Sequence, residues 1–147
     1  MGINVEDNFT LLFDKNNTTA YKALQMLQKE CEKSDKVYCY MDKLADMIDN
    51  DNSYIRTRGL TLIAYNAKWD KDNKIDEIID KYLKHIEDVK PITARQCIKL
   101  LPMIVKNKPE LKDDIVSALQ KADTSIYADS MQSLVYKDIQ NSLAEIQ

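Results

Sequence analysis

Two glycines and three prolines in 147 residues leave little material for tight turns. Sheets joined by hairpins need both residue types, so the scarcity argues against them, and abundant Leu, Ile, Lys, Ala, Met and Gln favour helices with short connections. The three cysteines, Cys31, Cys39 and Cys97, are odd in number and lack CxxC spacing, which points to free thiols in a reduced, cytoplasmic setting. No apolar run approaches the roughly 18 residues of a membrane span. The opening MGINVEDNF has neither the basic nor the apolar region of a secretory leader, and Glu6 stands where a myristoylation motif needs Ser or Thr. A formal net charge of −3 sets up no global field for nucleic acid, so any basic surface must be local. There is no glycine-rich phosphate loop, no HExxH and no GxSxG, hence no expected cofactor or catalytic centre.

What is there is helical periodicity. The stretch Asp51 to Trp69 organises the chain: Asn52 and Ser53 can cap a helix start, and Ile55, Gly59, Leu62, Ile63 and Asn66 fall on one side. Gly59, the only glycine after Gly2, costs roughly 1 kcal/mol against alanine in a helix interior, which close approach of a neighbouring helix would offset. Before it, the spacing predicts a short helix over Val5 to Phe13 with Phe9, Leu12 and Phe13 inward. A second helix follows, capped by Thr18 or Thr19 and running to about Lys33, then a third over about Lys36 to Asp49. After it come a fifth helix carrying Ile75 to Ile86, a sixth from Pro91 to about Lys106 that Pro102 must bend or interrupt, and a seventh starting at Pro109. An eighth is capped by Thr124 or Ser125 and carries Ile126, Met131, Leu134, Val135, Ile139, Leu143 and Ile146 inward.

Taken in pairs, the helices repeat. Met41-Asp42-Lys43-Leu44 and Ile79-Asp80-Lys81-Tyr82 match thirty-eight positions apart (79 minus 41), and the same shift sets Gly59 on Cys97 and Leu62-Ile63 on Leu100-Leu101. The small-residue position continues backward to Ala20 and forward to Ser130. Such self-similarity is the signature of a solenoid in which each pair buries its apolar face on its neighbours.

Ile55-Arg56-Thr57-Arg58-Gly59-Leu60-Thr61-Leu62-Ile63 resembles the second-helix pattern D-x-x-V-R-x-x-A-x-x-A-L of the HEAT and armadillo-like helical repeats. Ile126 to Leu134 keeps the apolar and small positions, with Tyr127 where the arginine belongs. The resemblance spans nearly the whole chain and implies an all-α fold: a right-handed α-solenoid, or α-α superhelix, of about four helix pairs in one domain over residues 1–147. It also implies a non-catalytic scaffold that binds macromolecules on the face lined by its second helices. Two further implications come with it. One HEAT-like family, the DNA glycosylases, uses a basic groove with aromatic and acidic residues. Some small bacterial chains of this type carry a SufBD label from iron-sulfur assembly, for which no motif stands here.

Charge partition supplies the candidate site. Asn52 to Trp69 holds Arg56, Arg58 and Lys68 with no carboxylate, and Pro91 to Lys106 holds Arg95, Lys99 and Lys106 with none, whereas the first helices are acidic. A face carrying Arg58, Thr61, Tyr65, Lys68, Trp69, Arg95, Lys99 and Lys106 is therefore expected to receive an acidic protein or peptide, the chain being a monomer or weak homo-oligomer. Tyr65 and Trp69 are placed to stack bases if the partner is instead a nucleic acid, although six cations on an acidic chain make a small footprint. The competing expectation is that such arginines pair with carboxylates of the adjacent repeat, Arg56 first among them. His85 reads as a surface residue, Cys31 and Cys97 as core, and Asp49 to Asp51 and Asp70 to Asp72 as loops that fail the calcium-binding pattern.

Overall fold

In the computed structural model, which describes residues 4–147, eight α-helices follow one another with no strand among the described residues. They are α1 (Val5–Leu11), α2 (Asn17–Lys33), α3 (Met41–Met47), α4 (Ser53–Tyr65), α5 (Lys74–Leu83), α6 (Pro91–Asn107), α7 (Lys112–Lys121) and α8 (Asp129–Ile146). Short 3-10 turns precede α3, follow α4 and α5, and lead into α7 and α8. Helices α1 with α2, α3 with α4, and α7 with α8 pack as pairs, the turn after α5 packs on α6, and α2, α4, α6 and α8 lie side by side in that order.

One continuous core runs from Phe9 to Ile139 and includes Leu27, Leu44, Leu62, Ile63, Tyr82, Ile98, Leu101 and Ile115. Each such aliphatic side chain withdrawn from water contributes about 1.5–3 kcal/mol before entropy is counted. Gly59 is the packing point that its position implies. A Cβ there would stand 2.9 Å from Met47 Cβ and 3.1 Å from the Leu44 carbonyl, so its absence lets α4 close on α3. Cys97, thirty-eight residues on, is fully buried at the same level of the next pair, its thiol 3.8 Å from the Tyr82 carbonyl.

Several boundaries differ from the expected ones. Asn16, not Thr18 or Thr19, caps α2, its side chain accepting from the Thr19 amide at 3.1 Å. Phe13 lies past the end of α1 and is largely exposed, touching Phe9 only edge-on. Pro109 opens a 3-10 turn, and α7 proper begins at Lys112. Thr124 and Ser125 likewise sit in a turn, with Ile126 exposed, so α8 starts at Asp129. That delay corrects the last repeat: Ser130 is exposed, and the thirty-eight-residue step from Cys97 and Leu101 falls on Val135 and Ile139, both buried. Leu134 then points outward.

Pro102 does not interrupt α6. Its missing N–H frees the Ile98 carbonyl four residues back, and Ser142 Oγ of α8 donates to that carbonyl at 2.8 Å.

Polar rungs join successive repeats. Arg56 donates to Asp88 through Nε (2.9 Å) and Nη2 (2.7 Å), and through Nη1 to the Asn50 and Asp51 carbonyls. Asp88 also accepts from the Lys90 amide, lies 2.7 Å from His85 Nδ1, and offers its own carbonyl to the Tyr127 hydroxyl at 2.6 Å. His85 is thus a mostly buried member of this cluster and not the surface residue its sequence neighbours suggested. A second cluster centres on Lys108, buried among Asp70, Asp76 and Glu110, with Asp70 accepting from the Tyr38 hydroxyl at 2.6 Å. Cys31 and Cys97 are buried free thiols and Cys39 is exposed. Burial pushes the Cys31 thiol up to about 12.

Candidate functional site

The side-by-side order of α2, α4 and α6 leaves a groove across them of about 780 Å³. Its wall from α2 carries Asn17, Tyr21, Leu24 and Gln28, its middle carries Tyr54, Thr57, Arg58 and Thr61, and its far wall carries Lys90, Ile92, Thr93, Arg95, Gln96 and Lys99. The floor is a polar seam between α4 and α6: the Thr57 and Thr93 hydroxyls meet at 2.9 Å, and Gln96 Nε2 stands 3.5 Å from Thr61 Oγ1. Thr57 and Thr61 each also donate back to the carbonyl one turn earlier, Ser53 and Thr57 respectively. Tyr21, Tyr54 and Ile92 stand exposed around the groove.

The charge of this groove is one-sided. Arg58, Lys90, Arg95 and Lys99 line it and no carboxylate does, in a chain with 24 acidic against 21 basic residues. Lys90 and Lys99 make no ion pair among the described residues. Cations left without counter-charges along a partly apolar cleft raise the local potential for an anionic ligand.

Four of the eight residues expected at the site, Arg58, Thr61, Arg95 and Lys99, are brought together here, and two of those differ from expectation. Arg58, expected on a face open to a partner, is buried, with only 7% of its surface exposed. It reaches across to the first repeat, where Nη1 donates to the Leu12 carbonyl at the end of α1 (2.8 Å) and Nη2 to Asn17 Oδ1 (3.2 Å). Burial lowers the pKa of its guanidinium, an effect that charge interaction with Tyr54 opposes only in part. Arg95 pairs with Asp138 of α8 at 2.6 Å, so it holds the third repeat to the fourth, as adjacent-repeat pairing would have it, while still lining the groove.

The other four lie elsewhere. Tyr65 is half-buried against the core, and Trp69 donates its indole N–H to the Cys31 carbonyl at 2.6 Å. Lys68 stands over that indole and donates to the Glu32 carbonyl, beside a separate shallow hollow, and Lys106 is exposed away from the groove. Neither aromatic residue expected to stack bases lines the groove, and for Trp69 the cause is that α4 ends at Tyr65 and the 3-10 turn Ala67–Trp69 brings the indole back onto α2. The groove residues missed from sequence include the whole α2 wall, Asn17, Tyr21, Leu24 and Gln28, and from the other two helices and their approaches Tyr54, Thr57, Lys90, Ile92, Thr93 and Gln96. Thr57 lies inside the basic stretch, one turn before Thr61 on the same face, and Lys90 directly precedes Pro91, so helical spacing from Thr61 and one further residue before α6 would have found both.

Stacked helix pairs with a groove along their second helices define an α-helical repeat protein. A family model described as a HEAT repeat domain matches residues 2–143, and the chain belongs to the HEAT repeat family. Comparisons with curated proteins and with solved structures gave no match.

Proposed function

We infer that this HEAT repeat chain is a non-catalytic scaffold whose α2–α4–α6 groove binds an acidic protein or peptide segment. The observation that carries the reading is the lining itself: three cations with no carboxylate partner, Arg58, Lys90 and Lys99, beside the Asp138-paired Arg95, with exposed apolar and aromatic side chains next to them. A segment that alternates acidic and apolar residues would match both features, whereas a bare polyanion would leave Ile92, Tyr21 and Tyr54 unmatched. The lining also lacks histidine, cysteine and acidic groups, which leaves little to serve as a general base or acid. A nucleic-acid partner has less support in this groove, whose lining includes neither Trp69 nor Tyr65.

The test is amide chemical-shift mapping on isotope-labelled protein with a synthetic peptide of alternating Glu and Leu. Binding in the groove should move the signals of Thr57, Thr61, Gln96 and Lys99. Shifts confined to Lys68, Trp69 and Lys106, or no shifts at all, would overturn the assignment, and larger shifts with single-stranded DNA than with peptide would favour the nucleic-acid reading.

A further inference from the structure

Arg58 stands apart from the chain's other two arginines. Arg56 is neutralised by Asp88 and Arg95 by Asp138, yet no carboxylate among the described residues lies within ion-pair distance of Arg58. Its charge is nevertheless the one withdrawn from water on the groove wall. A guanidinium carries five N–H donors in a fixed plane. Two of them are used, toward Leu12 and Asn17, and both acceptors are neutral. The Nε atom makes no hydrogen bond and is not among the fully enclosed polar atoms, so it keeps an opening to solvent. The two bonds that are made orient the plane, one to the carbonyl end of α1 and one to the side chain of the first residue of α2. Thr57 and Thr61, one on each side of Arg58 in sequence, and the exposed Lys99, which makes no ion pair among the described residues, line the same groove.

A buried cation with neutral acceptors only is costly to maintain, and it becomes favourable once an anion shares the site, because desolvation strengthens that attraction. A pre-oriented arginine edge matches the two oxygens of a carboxylate or phosphoryl group better than a flexible lysine does.

We propose that Arg58 is the fixed seat of an oxyanion subsite in the groove, with the exposed Lys99 as its second cation, and that one carboxylate or phosphoryl group of the bound segment docks there. This deepens the acidic-partner reading and rests on it: the other cations hold the segment by diffuse attraction, and Arg58 sets the position of one anionic side chain.

Inorganic phosphate and acetate serve as probes, titrated at constant ionic strength against chloride. Phosphate or acetate should raise the melting temperature by a few degrees along a saturable curve, as a ligand bound only by the folded state does. The same titration should move the Arg58 Nε–Hε NMR signal. Response to phosphate alone marks a phosphoryl group as the natural occupant, and response to both marks a carboxylate; either supports the subsite. Arg58→Gln should abolish the saturable rise, and Lys99→Gln, at an exposed position, should right-shift it several-fold. If Arg58→Gln does not fold, the NMR signal of the native protein decides. An unmoved Arg58 signal, or a rise that stays linear with salt as general exclusion gives, overturns the proposal. If the Glu-Leu peptide still binds the groove in that case, the scaffold reading stands and only the subsite falls.

Discussion

Arg56 grips Asp88 at two points, Nε to Oδ2 at 2.9 Å and Nη2 to Oδ1 at 2.7 Å, and the pair joins α4 to the loop that opens α6. Both side chains are almost wholly withdrawn from water. Removing one partner strands the other, so Arg56→Ala should cost about 3–5 kcal/mol in a denaturant melt. A loss under 1 kcal/mol would mean that the pair is solvated in solution.

The same cluster gives a pH dependence. Burial by itself would raise the Asp88 carboxyl, but hydrogen bonds from His85, Arg56 and the Lys90 amide outweigh it and hold the group below the usual aspartate range. A depressed folded-state pKa contributes stability that is complete above the unfolded value, about 3.9, and is lost as pH falls below it toward the folded value. Melts of the native protein should therefore steepen in acid below about pH 4, and those of Asp88→Asn should be flatter over the same range. Parallel pH profiles would remove Asp88 from the account.

Gly59→Ala places a methyl group 2.9 Å from Met47 Cβ, a contact that no side-chain rotation relieves. Alanine's helix preference offers roughly 1 kcal/mol in return, and overpacking typically costs about 1–3 kcal/mol. The net change should be destabilising, and Gly59→Leu should be worse. Melts in which Gly59→Ala gains stability would show that α3 can move away freely.

Ser142 and Pro102 should be coupled although they lie on different helices. Ser142→Ala leaves the Ile98 carbonyl without a donor and should cost about 1–3 kcal/mol. In a Pro102→Ala background the new N–H at position 102 can reach that carbonyl, so the same serine substitution should cost much less. A double-mutant cycle reads the difference as an interaction energy. Additive single effects would show that the serine bond is not a replacement for the helix bond.

The helical architecture was legible because each repeat restates it. The thirty-eight-residue match of Met41 to Leu44 with Ile79 to Tyr82, and of Gly59 with Cys97, marks pairs that do pack alike. The last repeat was harder, since the turn Thr124–Ile126 takes up residues that periodicity assigned to α8 and so disguised Val135 as an ordinary helix position. The site was half legible. Sign of charge along α4 and α6 pointed to two of the three helices that line the candidate groove and not to α2, and a run of cations does not tell which ones fold back. Arg58 turns toward the Leu12 carbonyl and Arg95 toward Asp138, forty-six and forty-three residues away in sequence, and neither partner could be read locally. Trp69 left the face because of a single 3-10 turn.

The most direct measurement is the affinity of a fluorescently labelled Glu-Leu peptide for the native protein and for Lys90→Gln/Lys99→Gln, followed by anisotropy at two salt concentrations. Neither lysine is ion-paired among the described residues, so the double variant should melt like the native protein. Each exposed charge is worth roughly 0.5–1 kcal/mol toward an acidic ligand, so the dissociation constant should rise about tenfold and depend less on salt. An unchanged dissociation constant with unchanged melting would contradict the claim that this groove is where an acidic partner binds.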